Sequence, residues 1–183
     1  MYTYKLSLDD ILNPLLYDIS TNEKKIAKRK RSFWYVIAMT AIIGIGGFIF
    51  KDLFIGFTFL AIAVLYLFFG NWYTRLAYKR ALRRSIRKNY SSLAGSAINL
   101  EINDDHLYIG TESGDAGYPF SSFLMVSETY AYFMIKLDND QILGIPKFSM
   151  ELEQGIKKMT ADHNIPYREH PDWKYFPSIT TTS

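Results

Sequence analysis

The 183-residue sequence contains no cysteine, which removes thiolate nucleophiles, disulfides and cysteine metal sites from the available chemistry. Its histidines are His106, His163 and His170. His106 opens an expected strand, His163 lies at an expected helix end, and His170 sits in a proline-rich tail. A metal centre needs convergent ligands with a supporting shell, and this placement offers none. Asp138-Asn139-Asp140 resembles the start of a calcium loop. The glycine and late glutamate of an EF-hand do not follow, so it reads as a hairpin turn. Gly44-Ile45-Gly46-Gly47 falls inside an apolar run, so it is not a phosphate-cradling loop between a strand and a helix. No Gly-x-Ser-x-Gly elbow is present. Glu101, Glu112 and Glu128 are carboxylates such as any folded domain carries. The sequence assigns no catalytic residue, no metal ligand and no cofactor.

The chemistry that does recur is cationic. Of 21 Lys and Arg, six lie in 24–31 and seven in 75–88. From residue 95 onward there are 13 acids against six bases, a net −7. A basic stripe beside an acidic remainder, with no base-reading motif, argues against nucleic acid. Over 71–90 the i, i+4 rows are informative. Arg75, Lys79, Arg83 and Arg87 form one basic row, and Arg80, Arg84 and Lys88 a second. Tyr78, Leu82, Ile86 and Tyr90 form an apolar row. Like charges at this spacing repel on a helix, so these rows suit an anionic surface or an acidic partner. The plain reading is a topology signal with a solvated face. The functional reading makes Lys28, Arg29, Lys30, Arg31, Arg75, Lys79, Arg80, Arg83, Arg84, Arg87 and Lys88 contacts for anionic lipid.

What must position these charges is the stretch between them. Residues 33–50 and 53–70 are two runs of 18 residues without a charge, separated only by Lys51-Asp52. As helices each spans about 27 Å, close to the hydrocarbon thickness of a bilayer. They read as a transmembrane helical hairpin with a minimal turn. A cleavable signal peptide does not fit, because 32 polar or mixed residues precede the first run and a second follows at once. Phe33, Trp34 and Tyr35 open the first run, and Trp72 and Tyr73 close the second. These are interface aromatics on one side, and both basic clusters flank that side. The positive-inside rule then places both termini in the cytoplasm. Thr40, Gly44 and Gly47 are small residues that let the second helix approach, and packing within the hairpin is the expected use. The runs contain no ionisable residue, which argues against an ion path or transporter site.

Residues 1–32 read as a short strand, an amphipathic helix and a basic lead-in. Residues 2–8 alternate as a strand does. Ser7 or Asp9 caps a helix bearing Ile11, Leu12, Leu15, Leu16 and Ile19 as its apolar stripe. Pro14 favours a fresh helix start there, with Asn13 as its cap. The stripe is expected to cover another part of the protein or to lie at the membrane surface.

After a Ser/Gly-rich linker, 91–163 reads as a β-rich domain closed by a helix. Strands are expected at 97–103, His106–Thr111, 115–120, 123–128, 130–137 and 141–145. Leu100, Ile102, Leu107, Ile109, Phe133, Ile135, Leu137, Ile142, Leu143 and Ile145 are the expected core. Tyr118, Phe120, Phe123, Tyr130, Tyr132 and Phe133 are read as core and cross-strand aromatics rather than a peptide groove. Ser149 caps a helix running to about residue 162, with Leu152, Ile156 and Met159 inward. Residues 2–8 can add a seventh strand. The fold class is thus an α+β membrane protein: an α-helical hairpin plus a small antiparallel sandwich or partly open barrel. In 164–183, Pro166, Pro171 and Pro177 break regular structure. Tyr167, Trp173, Tyr175 and Phe176 are expected to pack as an extended strap, and the last six residues to fray.

The opening Tyr4-Lys-Leu-Ser-Leu-Asp-Asp-Ile, the basic stretch before a tight hairpin, the Arg-rich helix after it, and a final strand running into Ile145-Pro146-Lys147-Phe148 and a helix together resemble the YcxB-like family of bacterial membrane proteins. Phe120 stands where that pattern usually has Trp, and Pro14 is unusual in the first helix. The resemblance implies a cytoplasmic, pleckstrin-homology-like domain anchored in the bacterial inner membrane, and no established activity. The expected function is therefore a non-enzymatic, membrane-anchored interaction module. Its expected partners are the lipid bilayer, anionic lipid and an unidentified protein. A headgroup or small-ligand binder, and an accessory subunit of a membrane complex, are the alternatives.

Overall fold

The computed structural model describes residues 1–111 and 114–175. The chain divides into two compact units, residues 1–18 with 83–183, and residues 19–82. Elements follow in the order β1 (Tyr2–Lys5), α1 (Leu8–Thr21), α2 (Glu23–Ile49), α3 (Leu53–Asn89), β2 (Ala97–Ile102), β3 (His106–Thr111), β4 (Gly114–Pro119), β5 (Phe123–Thr129), β6 (Tyr132–Leu137), β7 (Ile142–Pro146), α4 (Met150–Asp162) and β8 (Tyr167–His170).

In the first unit, the sheets have the orders β1-β2-β3-β4 and β7-β6-β5-β8. Strand β1 does join β2, with Tyr2 opposite Leu100 and Lys5 opposite Ala97, although the hairpin lies between them in sequence. The core draws on both sheets and α4: Leu100, Leu107, Phe120, Phe123, Val126, Phe133, Ile135, Leu137, Ile145, Leu152, Ile156 and Met159. Among the expected core positions only Ile142 faces away. Leu143 and Ile145 take the inner face of β7, and alternation turns Ile142 and Gly144 outward.

The outward face of the second sheet is also covered. Ser127, Met134 and Gly144 lie level across β5, β6 and β7. Ser127 and Met134 are buried without belonging to the core cluster. Helix α1 lies there, with the Pro14 ring so close to Gly144 that a Cβ would sit 2.0 Å from its Cγ. The Tyr132 hydroxyl donates to Asp10 at 2.8 Å. Burial and this carboxylate together push the phenol up to about 12. The helix starts with a reciprocal cap. Asp10 N–H donates to Ser7 Oγ (3.2 Å), and Ser7 N–H donates to Asp10 Oδ2 (2.7 Å).

Several expectations need correction. Pro14 does not begin a second helix. Helix α1 runs unbroken from Leu8 to Thr21, and a ring without an N–H is tolerated because it packs into the side-chain-free gap at Gly144. The strap contains a real strand. Asn164 adopts φ +52°, and Asn164 and Ile165 donate to the carbonyls of Ala161 and Thr160, ending α4 in a Schellman turn. Pro166 then accepts from Val126 N–H, and β8 pairs parallel to β5, so this sheet is mixed. Tyr130 is 86% exposed in the β5–β6 turn and is not a core aromatic. The expected strand 130–137 therefore begins at Tyr132, and a 3-10 turn at Phe120–Ser122 ends the fourth strand early. The turn residues Glu112 and Ser113, Phe176 and Pro177 of the strap, and the terminal stretch expected to fray lie outside the described residues.

In the second unit, α2 and α3 pack antiparallel. Their buried positions are Gly44, Gly47, Gly56, Ala63 and Gly70 alone among its described residues. Gly47 lies against the Gly56 backbone, Gly44 against Leu60, and Gly70 against Phe33 and Tyr66. On α3 the buried positions Gly56, Ala63 and Gly70 recur every seven residues, and on α2 Gly44 and Gly47 face them. Such small-residue seams let backbones approach closely. At the turn, Lys51 takes φ +61°, and the Lys51 and Asp52 amides donate to Phe48 and Gly47. Asp52 Oδ1 then accepts from Ile55 N–H at 3.1 Å, capping α3.

Candidate functional site

The hairpin seam sets where its flanking segments begin. Phe33 meets Gly70 and Gly47 meets Gly56, so the chain enters and leaves the hairpin at the same end. The candidate interface residues therefore gather at one end of the second unit. Trp34, Tyr35, Trp72 and Tyr73 are exposed, while Phe33 turns inward and stacks on Tyr66 at 5.3 Å. Lys28, Lys30, Arg31 and Arg80 are exposed, and Arg29, Arg75 and Lys79 are half-buried. This unit holds ten Lys or Arg against two acids, a net +8. Nine of the ten are at that end, with Glu23 as its acid, and the turn end carries Lys51 and Asp52. Between the ends, both helices are long and apolar enough to cross a membrane and leave most of their surface unburied. Ile42, Ile45, Phe57, Val64, Leu65 and Phe68 are among the exposed apolar side chains.

The remaining basic residues, Arg83, Arg84, Arg87 and Lys88, belong to the first unit and are exposed. Arg83 meets Asp9 at 3.6 Å, an exposed pair of little energetic weight.

The first unit carries a polar centre that the sequence concealed. Glu128 on β5 is gripped by Lys147 from the end of β7 and by the Tyr167 hydroxyl from β8. Lys157 from α4 reaches it at 3.0 Å. Lys147 also lies 3.9 Å from Glu153 and 5.0 Å from the centroid of the Phe133 ring. Burial alone would raise the Glu128 pKa, but the three donors outweigh it and hold the carboxyl down to about 2. The same carboxylate, with burial, pushes the Tyr167 phenol up. Glu128, Lys147, Glu153 and Lys157 line a cleft of about 630 Å³ with Tyr130, Glu169 and Pro171. A second cleft of about 440 Å³ adjoins it, lined by Asn13, Tyr130, Tyr132 and Trp173. The ion pairs and the Tyr167 hydrogen bond tie β5, the end of β7, α4 and β8 together. Glu128 was visible in the sequence only as one carboxylate among many, because its partners come from positions 147, 157 and 167.

The histidines are dispersed and each is engaged. His106 Nδ1 lies 2.8 Å from Asp105, a contact that lowers the Asp105 pKa. His163 packs on the Phe120 ring at 4.7 Å, and Tyr17 OH meets His170 Nδ1 at 2.7 Å. Among the described residues no three His, Asp or Glu converge as metal ligands. Asp138-Asn139-Asp140 forms the β6–β7 hairpin turn, with Asp140 at φ +62°.

No family model, curated protein or solved structure matches the chain.

Proposed function

We propose that the chain is a membrane-anchored interaction module of the bacterial inner membrane, in which the hairpin tethers the β-rich unit at the cytoplasmic face. The observation that carries this reading is the second unit itself. Two packed helices bury only small residues in their seam, expose apolar side chains around it, and concentrate nine cations at one end. A soluble helical pair would turn that apolar surface inward. Lipid is the solvent that accepts it, and the charge asymmetry orients both termini toward the cytoplasm. The strand order of the first unit, closed by α4, accords with a pleckstrin-homology-like domain and with the YcxB-like resemblance. The reading assigns partner binding rather than catalysis to that domain, because Glu128, Lys147 and Lys157 are consumed in mutual ion pairs.

The test is extraction. Membranes from expressing cells, washed in alkaline carbonate, retain the protein, and detergent releases it. Release by carbonate alone would refute the anchor. Affinity purification of the retained protein then identifies partners of the domain.

A further inference from the structure

We propose that the basic end of the hairpin binds the headgroup phosphates of anionic phospholipids, beyond merely setting topology; the proposal rests on the anchoring reading above. Two observations combine. First, Glu23 is the acid the second unit offers at that end against nine cations. Second, depth matches. The exposed Trp34 and Trp72 mark the interfacial level, and Lys30 lies one helical turn beyond Trp34, about 6 Å further out. Phosphodiesters of a bilayer occupy that layer. Lys28, Lys30, Arg31 and Arg80 are exposed there and carry the interaction. Topology alone requires only an excess of positive charge near the helix ends, not this density.

The test uses the purified full chain in nanodiscs of phosphatidylcholine containing a minority of phosphatidylglycerol. Lipid retained after detergent exchange is quantified by mass spectrometry. Wild type enriches phosphatidylglycerol over its bulk share. The combined variant Lys28→Gln, Lys30→Gln, Arg31→Gln and Arg80→Gln loses that enrichment by about tenfold or more, since each cation near an anionic surface contributes several-fold. Lys51→Gln, at the other end, keeps it. Replacing Lys28 and Lys30 by Arg preserves charge and enrichment, which separates lost binding from lost folding. Equal enrichment in wild type and the quadruple variant overturns the proposal. So does displacement of the lipid by inorganic phosphate at low concentration, which would mark a free-phosphate site. Failure of the anchor looks different, because the chain would then leave membranes in carbonate whatever their lipid.

Discussion

Residues 1–18 belong to the folded unit formed by 83–183, and removing them should abolish its cooperative folding. Helix α1 buries Leu12, Leu16 and Tyr17 to under 4% exposure. Each such side chain stabilises by about 1.5–3 kcal/mol, so the three contribute roughly 5–9 kcal/mol before β1 is counted. That is comparable to the whole stability of a typical domain, about 5–15 kcal/mol. Because Asp9 and Arg83 meet at 3.6 Å, the two segments can be rejoined without the hairpin. A flexible Gly/Ser linker of about 12 residues spans on the order of 20 Å, enough to connect residue 18 to residue 83. We expect the linked chain to unfold in one urea transition and residues 83–183 alone to bind a hydrophobic dye and melt without cooperativity. In the full chain, Gly144→Ala should weaken the same contact, because its Cβ would overlap the Pro14 ring. The reasoning is refuted if residues 83–183 alone unfold cooperatively with a Tm within about 5 °C of the linked chain, a difference worth only about 1 kcal/mol.

Three further outcomes follow from particular contacts. Gly47→Ala places a Cβ 2.6 Å from the Gly56 backbone nitrogen and should cost about 1–3 kcal/mol in detergent melts, whereas Gly46→Ala, with nothing within 4 Å, should be neutral or slightly stabilising. Ser127 Oγ is buried without a hydrogen-bond partner, so Ser127→Ala should leave stability unchanged or raise it by up to about 1 kcal/mol, and a loss above that would show an unseen partner. The Glu128 carboxyl has its pKa lowered from 4.5 to about 2 in the folded state. Its contribution is therefore fully present above the unfolded value and lost as pH falls toward 2. Allowing for solvent in the cleft, that is on the order of 1–2 kcal/mol, and urea midpoints of Glu128→Gln should be flatter over this window than those of wild type.

Much of the architecture was legible because it rests on local pattern. The two uncharged runs, the turn at Lys51-Asp52, the Ser149 cap and the period-two strands each follow from neighbours in sequence. The half of the seam on α2 was visible in Gly44 and Gly47. Its partner on α3, Gly56, Ala63 and Gly70, was not, since a spacing of seven acquires meaning only once the helices face each other. Pro14 misled for a related reason. Propensity breaks a helix there, but a glycine 130 residues away accommodates the ring. Strand β8 was hidden by its prolines, which flank the strand without entering it. The Glu128 centre was the least legible feature, because three segments distant in sequence, at positions 147, 157 and 167, supply its partners.

The placement of the hairpin across the membrane can be measured directly, because a chain without cysteine accepts single reporter cysteines cleanly. Cysteine is introduced at Asp52 in the α2–α3 turn, or at Asp138 in the β6–β7 turn, and intact cells are treated with a membrane-impermeant maleimide. The account predicts labelling at position 52 in intact cells and at position 138 only after permeabilisation. Labelling at 138 in intact cells, or protection of 52 until the membrane is breached, would contradict it.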